Sequence, residues 1–114
     1  MENHNVDVVA HPTSRLLPGR EPSAVDMEAI FQAAAKTKTM LEINAMPSCL
    51  DLRDIHAYRA RELGVKLVIN TDAHSTEHLG FMRFGVGVAR RGWCQPKDII
   101  NTRPLKEVVA YLRK

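Results

Sequence analysis

The sequence predicts an α/β fold in which short parallel strands alternate with helices. Three apolar segments, each followed by a polar group or a proline, are separated by stretches in which apolar residues recur at helical spacing. The chain has 114 residues, whereas a closed α/β barrel usually needs roughly 250. We therefore predict three strand–helix units followed by a terminal helix, in one domain.

The first unit pairs a strand at 6–10 with a helix. Valines stand at positions 6, 8 and 9, and Pro12 ends the strand. Ser23, with Asp26 three residues later, resembles a capping box at the start of the helix. The apolar positions of that helix recur at spacings of three and four: Met27, Ile30, Phe31 and Ala34.

The second unit pairs a strand at 40–45 with a helix for which Asp51 is the predicted cap. Gly64 is predicted to end this helix. Its predicted inward face consists of Leu52, Ile55 and Leu63. The third strand, at 66–71, lacks alternation, which is typical of a strand covered on both faces.

Two further helical patterns follow the third strand. A stripe with spacings of three and four is predicted to pack in the core: Leu79, Met82, Val86, Ala89 and Trp93. The last helix is predicted to start with Thr102 as N-cap and Pro104 in its first turn. Its predicted apolar side consists of Leu105, Val108, Val109 and Leu112.

Composition narrows the class of protein. The chain is 45% hydrophobic and 25% charged, as in ordinary globular proteins, and its net charge of +3 permits phosphate contacts without requiring them. Cys49 and Cys94 form no CxxC pair, which excludes a zinc ribbon and favours reduced thiols. The sequence shows no export signal and no apolar run of about 18 residues. We therefore expect a cytoplasmic protein that does not contact a membrane.

Polar groups that can bind metal ions lie in or directly after each predicted strand. His11 ends the first strand, Glu42 and Asn44 lie in the second, and Asp72 and His74 follow the third. The carboxyl ends of parallel strands meet at one edge of a sheet, so these groups are expected to be neighbours. Imidazoles with a carboxylate suit Zn, Mn or Fe. Taken singly, each residue also has a structural interpretation, such as a cap or a paired buried charge.

Several strings in the chain resemble one known family. Residues 6–15 (VDVVAHPTSR), 41–52 (LEINAMPSCLDL) and 70–74 (NTDAH) are similar to segments of the PHP domain of bacterial and archaeal family X DNA polymerases. The segments 82–86, 89–93 and 100–102 resemble those that follow in that family. The resemblance covers nearly the whole chain, in order.

This resemblance implies a partial PHP-type (βα)₇ barrel with Mn, Zn or Fe ions at the strand ends. It also implies hydrolysis of phosphoesters. In this family the substrate is the 3′ end of DNA, which is degraded in the 3′→5′ direction. Carried over by position, the metal ligands are His11, Asp72 and His74, of which Asp72 and His74 are also the catalytic residues. The remaining site residues are Arg15 and Asn44 on the substrate side, with Glu42 and His78 as supporting neighbours.

The chain also departs from the family pattern. The family's early His-x-His, Glu and His ligands have no counterpart here, so we expect residues 1–114 to be the C-terminal portion of a PHP domain without the polymerase domain. Weak metal binding and low activity are then expected. Two alternatives remain: a non-catalytic piece that self-associates through open sheet edges or binds a partner, and a phosphatase of small phosphate monoesters.

Overall fold

Three parallel strands form one sheet in a computed structural model that describes residues 1–17, 19 and 25–112. The strands are β1 (Val8–Val9), β2 (Met40–Asn44) and β3 (Leu67–Asn70), in the order β1-β2-β3. Both strand pairs are parallel, with Val8 opposite Met40 and Leu41 opposite Leu67. The predicted parallel α/β architecture is confirmed. The sheet formed by the described residues is open and does not close into a barrel.

Four α-helices accompany the sheet in the described ranges: α1 (Met27–Thr37), α2 (Asp54–Glu62), α3 (Met82–Arg91) and α4 (Leu105–Leu112). Three 3₁₀ segments lie between β3 and α4, at Thr76–Phe81, Pro96–Asp98 and Ile100–Thr102. None of the helices in these ranges has the length and hydropathy needed to span a bilayer.

The caps of the first two helices follow from local chemistry. Asp26 is itself the N-cap of α1 and accepts a hydrogen bond from the Ala29 N–H at 3.1 Å. The predicted capping box is therefore wrong in its register, and Ser23 lies outside the described residues. Gly64 follows α2 with a φ of 78°, the left-handed conformation predicted for it.

The core lies between the sheet and helices α1, α2 and α3. Its largest fully buried side chains include Leu41 and Ile43 from β2 and Leu67 from β3. Phe31 from α1, Val88 from α3 and Leu52 belong to the same contiguous apolar cluster. The mostly aliphatic core agrees with the low aromatic content of the chain, 5%.

The strand β1 is shorter than predicted because another segment pairs with the rest of the β2 edge. Leu52 donates its N–H to the Glu42 carbonyl at 3.0 Å, and Asn44 forms an antiparallel bridge with Asp51. Asp51 is therefore buried beside the sheet, and the prediction that it caps α2 is wrong. Arg53 is the N-cap residue of that helix.

The predicted inward face of the second helix is correct for Leu52, which is fully buried, and for Leu63, which packs against the core, but it is wrong for Ile55. Ile55 is 58% exposed, and Ala57 and Ala60 are the buried positions of α2. The helices α2 and α3 approach closely, since a Cβ on Gly92 would lie 2.9 Å from the Asp54 carbonyl oxygen. A larger side chain at this contact would push the helices apart.

The predicted core stripe after β3 is wrong at three of its five positions. Leu79 is 61% exposed, Val86 is 41% exposed and Trp93 is 75% exposed. The single long helix is also divided, because a 3₁₀ segment precedes α3. The buried positions of α3 are Gly85, Val88 and Ala89, because the helix lies so close to the sheet that a methyl group on Gly85 would overlap with Ile69 and Ala45.

The C-terminal segment covers the outer edge of β3. Ile99 forms a parallel bridge with Leu67. The Asn101 side chain accepts the Ile69 N–H at 2.8 Å and donates to the Ile69 carbonyl at 2.9 Å, which replaces the pairing of a further strand. The prediction of an open sheet edge is therefore wrong for this part of β3. The predicted self-association then concerns the β1 edge of the sheet.

The last helix starts later and packs less than predicted. Thr102 belongs to the 3₁₀ segment, and its hydroxyl donates to the carbonyls of Pro96 at 2.6 Å and Ile99 at 2.8 Å, so it does not cap α4. The helix begins at Leu105, which is 78% exposed, and none of the described α4 residues is buried. The predicted apolar side of this helix is thus only partly covered.

Candidate functional site

The carboxyl ends of the three strands lie at one edge of the sheet, as the sequence predicts. Asn44 pairs in register with Asn70, so the residues that follow β2 and β3 start side by side. The segment after β1 begins next to the same end of β2, because the His11 N–H reaches the Glu42 side chain. The backbone therefore brings together the strand ends from three distant parts of the sequence, and the segments that carry the predicted site residues start there.

Glu42 ties the segments after the outer strands to the central strand. Its side chain projects from β2, and the residue is only 5% exposed. One carboxylate oxygen accepts the His11 N–H at 2.7 Å, and the other accepts the Asn70 side-chain amide at 3.0 Å. Both oxygens are thus bonded within the protein. These bonds let Glu42 position the segments after β1 and β3, and its place beside a functional site stays a prediction.

Asn44 links β2 to the segment after β3. Its amide nitrogen donates to a carboxylate oxygen of Asp72 at 3.2 Å, and its amide oxygen accepts the Met46 N–H at 3.0 Å. The residue is 1% exposed. These contacts orient the exposed Asp72 carboxylate and leave its second oxygen without a hydrogen-bond donor from the residues that the structure describes.

The hydrogen bonds of His74 determine which ring nitrogen carries its proton. Its Nδ1 lies 2.7 Å from the Asp72 carbonyl oxygen, which can only accept, so Nδ1 carries the proton. In the neutral ring the lone pair is then on Nε2, the form in which histidine binds metal ions. His74 is exposed, so this nitrogen can meet a ligand from solvent.

His78 fixes the backbone of His74. Its Nδ1 accepts the His74 N–H at 2.9 Å, so in the neutral His78 ring the proton is on Nε2. The two rings are 6.2 Å apart between centroids in an edge-on arrangement. The two histidines are thus in contact, and the role of His78 as a support of the site stays a prediction.

Left-handed backbone conformations are concentrated at this edge of the sheet. Asp72 has a φ of 54°, His11 of 31°, Ser14 of 55° and Leu50 of 42°. Such conformations cost non-glycine residues of order 1–3 kcal/mol each and are frequent at functional sites. The hydrogen bonds from Glu42 and Asn44 hold two of these segments in place.

The loop before α2 is held by residues whose importance the sequence did not reveal. Asp51 accepts the Thr13 N–H with both oxygens, at 3.0 and 3.2 Å, and both residues are buried. Arg15 donates from Nε to the Cys49 carbonyl at 2.9 Å and from Nη2 to the Leu50 carbonyl. Arg15, predicted on the substrate side, thus makes its described hydrogen bonds to the protein backbone.

The donors at this edge match a metal ion in type, but they do not form a ready set of three. Among the described residues, no three His, Cys, Asp or Glu side chains gather in a group that could hold an ion. His11, Asp72 and His74 are all exposed and offer imidazole nitrogens and a carboxylate. Their assignment as ligands stays a prediction.

Comparison with known proteins shows where this arrangement occurs. The chain is 47% identical over 114 residues to the DNA polymerase/3′-5′ exonuclease PolX of Bacillus subtilis (strain 168), and the match covers all of the chain. The chain is a relative of PolX. This similarity confirms the resemblance to the PHP domain of family X DNA polymerases. The chain spans 20% of the length of PolX, so the similarity concerns a part of that protein.

More distant relatives carry phosphatase names. The chain is 23% identical over 120 residues to a probable phosphatase of Thermoanaerobacter sp. (strain X514), and covers 46% of it. It is 25% identical over 121 residues to a probable phosphatase of Caldanaerobacter subterraneus subsp. tengcongensis, and covers 44% of it. No protein-family model matches the chain. Each of these three matches covers the whole chain and so includes every strand end described above.

Proposed function

We propose that the strand ends form part of a metal-dependent phosphoesterase site that acts on DNA 3′ ends. Residues 1–114 correspond in this proposal to the C-terminal portion of a PHP domain, and the open sheet to part of a (βα)₇ barrel. The similarity to PolX and to two probable phosphatases supports the hydrolysis of phosphoesters. DNA ends as substrate agree with the cytoplasmic location expected from the sequence.

The observation that carries this proposal is the state of His74. Its Nδ1 proton is bonded to the Asp72 carbonyl, which leaves Nε2 as an exposed lone pair. The Asp72 carboxylate is oriented by Asn44. If Asp72 and His74 served only the stability of the fold, there would be no need for a free imidazole nitrogen in solvent next to a carboxylate with one oxygen unbonded.

His11, Asp72 and His74 would hold the ion, of which Mn, Zn and Fe suit these donors. A bound divalent ion acidifies water and polarises a phosphoryl oxygen. The chain's own supporting residues keep the ligands in position: Glu42 holds the His11 backbone, and His78 holds the His74 backbone. Arg15 and Asn44 act in this proposal by fixing the loops that border the substrate.

The isolated chain is expected to bind metal weakly and to hydrolyse slowly. No three candidate ligands gather among its described residues, so an ion has to draw exposed side chains together. That rearrangement lowers the affinity because only a fraction of the molecules is competent to bind.

The test uses a DNA oligonucleotide labelled at its 3′ end, incubated with the chain and Mn²⁺. We expect slow release of the label, which stops on addition of a chelator and in the His74→Ala variant. The matched control is His4→Ala, because His4 is also exposed but lies outside the strand ends. Equal Mn²⁺ binding by equilibrium dialysis in the wild-type chain and in His74→Ala would contradict the proposed ligand. Equal hydrolysis in the two would contradict the proposed catalytic role.

The phosphatase relatives support a second substrate class, small phosphate monoesters. Hydrolysis of p-nitrophenyl phosphate, compared with that of the labelled oligonucleotide, separates the two. A higher rate on the monoester would place the chain with the phosphatases.

A further inference from the structure

A row of rings runs from the candidate site along the surface of the molecule. His74 contacts His78, and His78 stacks on Phe81 with a centroid distance of 5.1 Å and an angle of 23°. Phe81 in turn contacts Phe84 at 5.8 Å. The Arg83 guanidinium lies over the Phe84 ring, 4.8 Å from its centroid. We refer to His78, Phe81, Phe84 and Arg83 as the ring row.

The two phenylalanines of the ring row do not serve the core. Among the described residues, the core and the side chains packed against it include Met82, but neither Phe81 nor Phe84. Both rings are partly exposed, and Arg83 is exposed. Large apolar rings that contact each other instead of the core leave ring surface toward solvent, where a ligand can stack on it.

The ring row is continuous with the site. The His74 N–H bonds to His78 at 2.9 Å, so the residue proposed to bind the metal is joined directly to the first ring of the row. At the far end, Arg83 supplies a cation beside a ring face. A row of rings with a cation next to it matches what single-stranded nucleic acids offer, since their bases stack on rings and their phosphates attract cations.

We propose that the ring row is a stacking surface for the terminal base of single-stranded DNA whose 3′ end lies at the candidate site. This inference rests on the proposed function, which it deepens by naming what part of the substrate is recognised. It gives the site a preference for strands with an unpaired base at the end. Because every base has a stacking face, the preference does not depend on sequence.

The test is binding without metal, so that it does not depend on catalysis. A 5′-labelled DNA oligonucleotide with 2-aminopurine at its 3′ end is compared with one that lacks the terminal base. Loss of base stacking costs about fivefold to a hundredfold in affinity. We expect the intact oligonucleotide to bind tighter by at least the lower figure, and its 2-aminopurine fluorescence to be quenched on binding.

Two variants test whether the ring row causes the base-dependent difference in affinity. Phe84→Leu keeps an apolar side chain but removes the ring, and we expect it to remove most of the base-dependent difference and the quenching. Trp93→Leu is the matched control, since it removes a 75% exposed ring away from the row and leaves both unchanged. Arg83→Gln, a second variant at an exposed position, is expected to reduce the salt dependence of binding by about one phosphate contact, a slope of about 0.7.

The outcomes separate this inference from the proposed function. Equal affinity for the two oligonucleotides, no binding of either, or quenching that persists in Phe84→Leu overturns the stacking surface, whatever the hydrolysis assay shows. A base-dependent difference that disappears in a folded Phe84→Leu, checked by its thermal unfolding, supports the surface even if the wild-type chain fails to hydrolyse DNA.

Discussion

The two hydrogen bonds of Glu42 are expected to contribute strongly to stability, and two substitutions can separate them from the packing of the side chain. In Glu42→Gln the Asn70 side chain can turn its amide by 180° and accept from the new amide, so both bonds survive as neutral ones. In Glu42→Met the side chain keeps a similar length but accepts nothing. The His11 N–H and the Asn70 amide then lose their partner.

The magnitudes follow from the kind of bond that is lost. Hydrogen bonds to charged groups are worth roughly 1.5–3 kcal/mol each, and neutral ones about 0.5–1.5 kcal/mol. The unfavourable burial of the carboxylate offsets part of the loss. We therefore expect Glu42→Gln to lower the free energy of unfolding by about 1 kcal/mol and Glu42→Met by about 3 kcal/mol. For a domain near this size, 1 kcal/mol corresponds to roughly 4–8 °C in Tm.

Thermal and urea unfolding followed by circular dichroism measure both variants. Glu2→Met is the matched control, because Glu2 is exposed and its replacement should leave Tm nearly unchanged. The reasoning is refuted if Glu42→Met is as stable as Glu42→Gln, since the bonds to the outer segments would then contribute little. It is also refuted if both variants match the wild-type chain.

Three further predictions test the packing and the edge of the sheet. Gly85→Ala should destabilise the chain by about 1–3 kcal/mol in urea unfolding, because the added methyl group overlaps with Ile69. Gly80→Ala is the control and should have no measurable effect, because nothing lies within 4 Å of the added methyl group. Equal effects of the two substitutions would contradict the close approach of α3 to the sheet. Asn101→Asp should cost about 1–3 kcal/mol, because it replaces the donor to the Ile69 carbonyl by an acceptor; an unchanged urea midpoint would show that the edge is covered without this bond. Burial raises the pKa of the Cys94 thiol to about 11 from 9.0, so at pH 8 it holds about a hundredfold less thiolate than in the unfolded chain. Iodoacetamide should modify Cys94 correspondingly faster in urea, and faster in the folded chain as the pH rises toward 11, which peptide mass spectrometry measures; equal rates in folded and unfolded chains would contradict this.

The order of elements and the direction of the strands could be predicted from the sequence because they depend on local patterns. Apolar runs at 6–10, 40–45 and 66–71 are separated by helix-length stretches, which requires crossover connections and hence parallel strands. The polar residues after each run then had to meet at one edge. Glu42, Asn44 and Asp72 do meet there, through the hydrogen bonds described above.

The orientation of α3 could not be read from apolar spacing alone. Periodicity identifies residues that share a face, but which face packs on the sheet depends on how close the helix can come. The face with small residues packs inward, because Gly85, Ala89 and Gly92 let α3 approach β2 and α2. These three residues are four and three positions apart, which is a helical spacing visible in the sequence. The spacing of the larger Val86 and Trp93 favoured the other face of the helix instead.

Asp51 shows a different limit, that of sequence distance. An aspartate directly before a predicted helix has the properties of a cap, and local chemistry gives no reason to prefer another role. Its partner, the Thr13 N–H, is 38 residues away and comes within reach only after the sheet has formed. The same holds for Glu42, whose two partners lie 31 and 28 residues away.

Burial and the use of hydrogen bonds, more than residue type, distinguish the positioning residues from the candidate ligands. The carboxylates of Glu42 and Asp51 are buried and bonded to protein donors through both oxygens, so neither can bind an ion without breaking those bonds. Asp72 and His74 are exposed, and each retains an atom that the neighbouring residues leave available. A carboxylate in the middle of a conspicuous motif can therefore be the support of a site, while its ligands come from the less regular segments that the support holds in place.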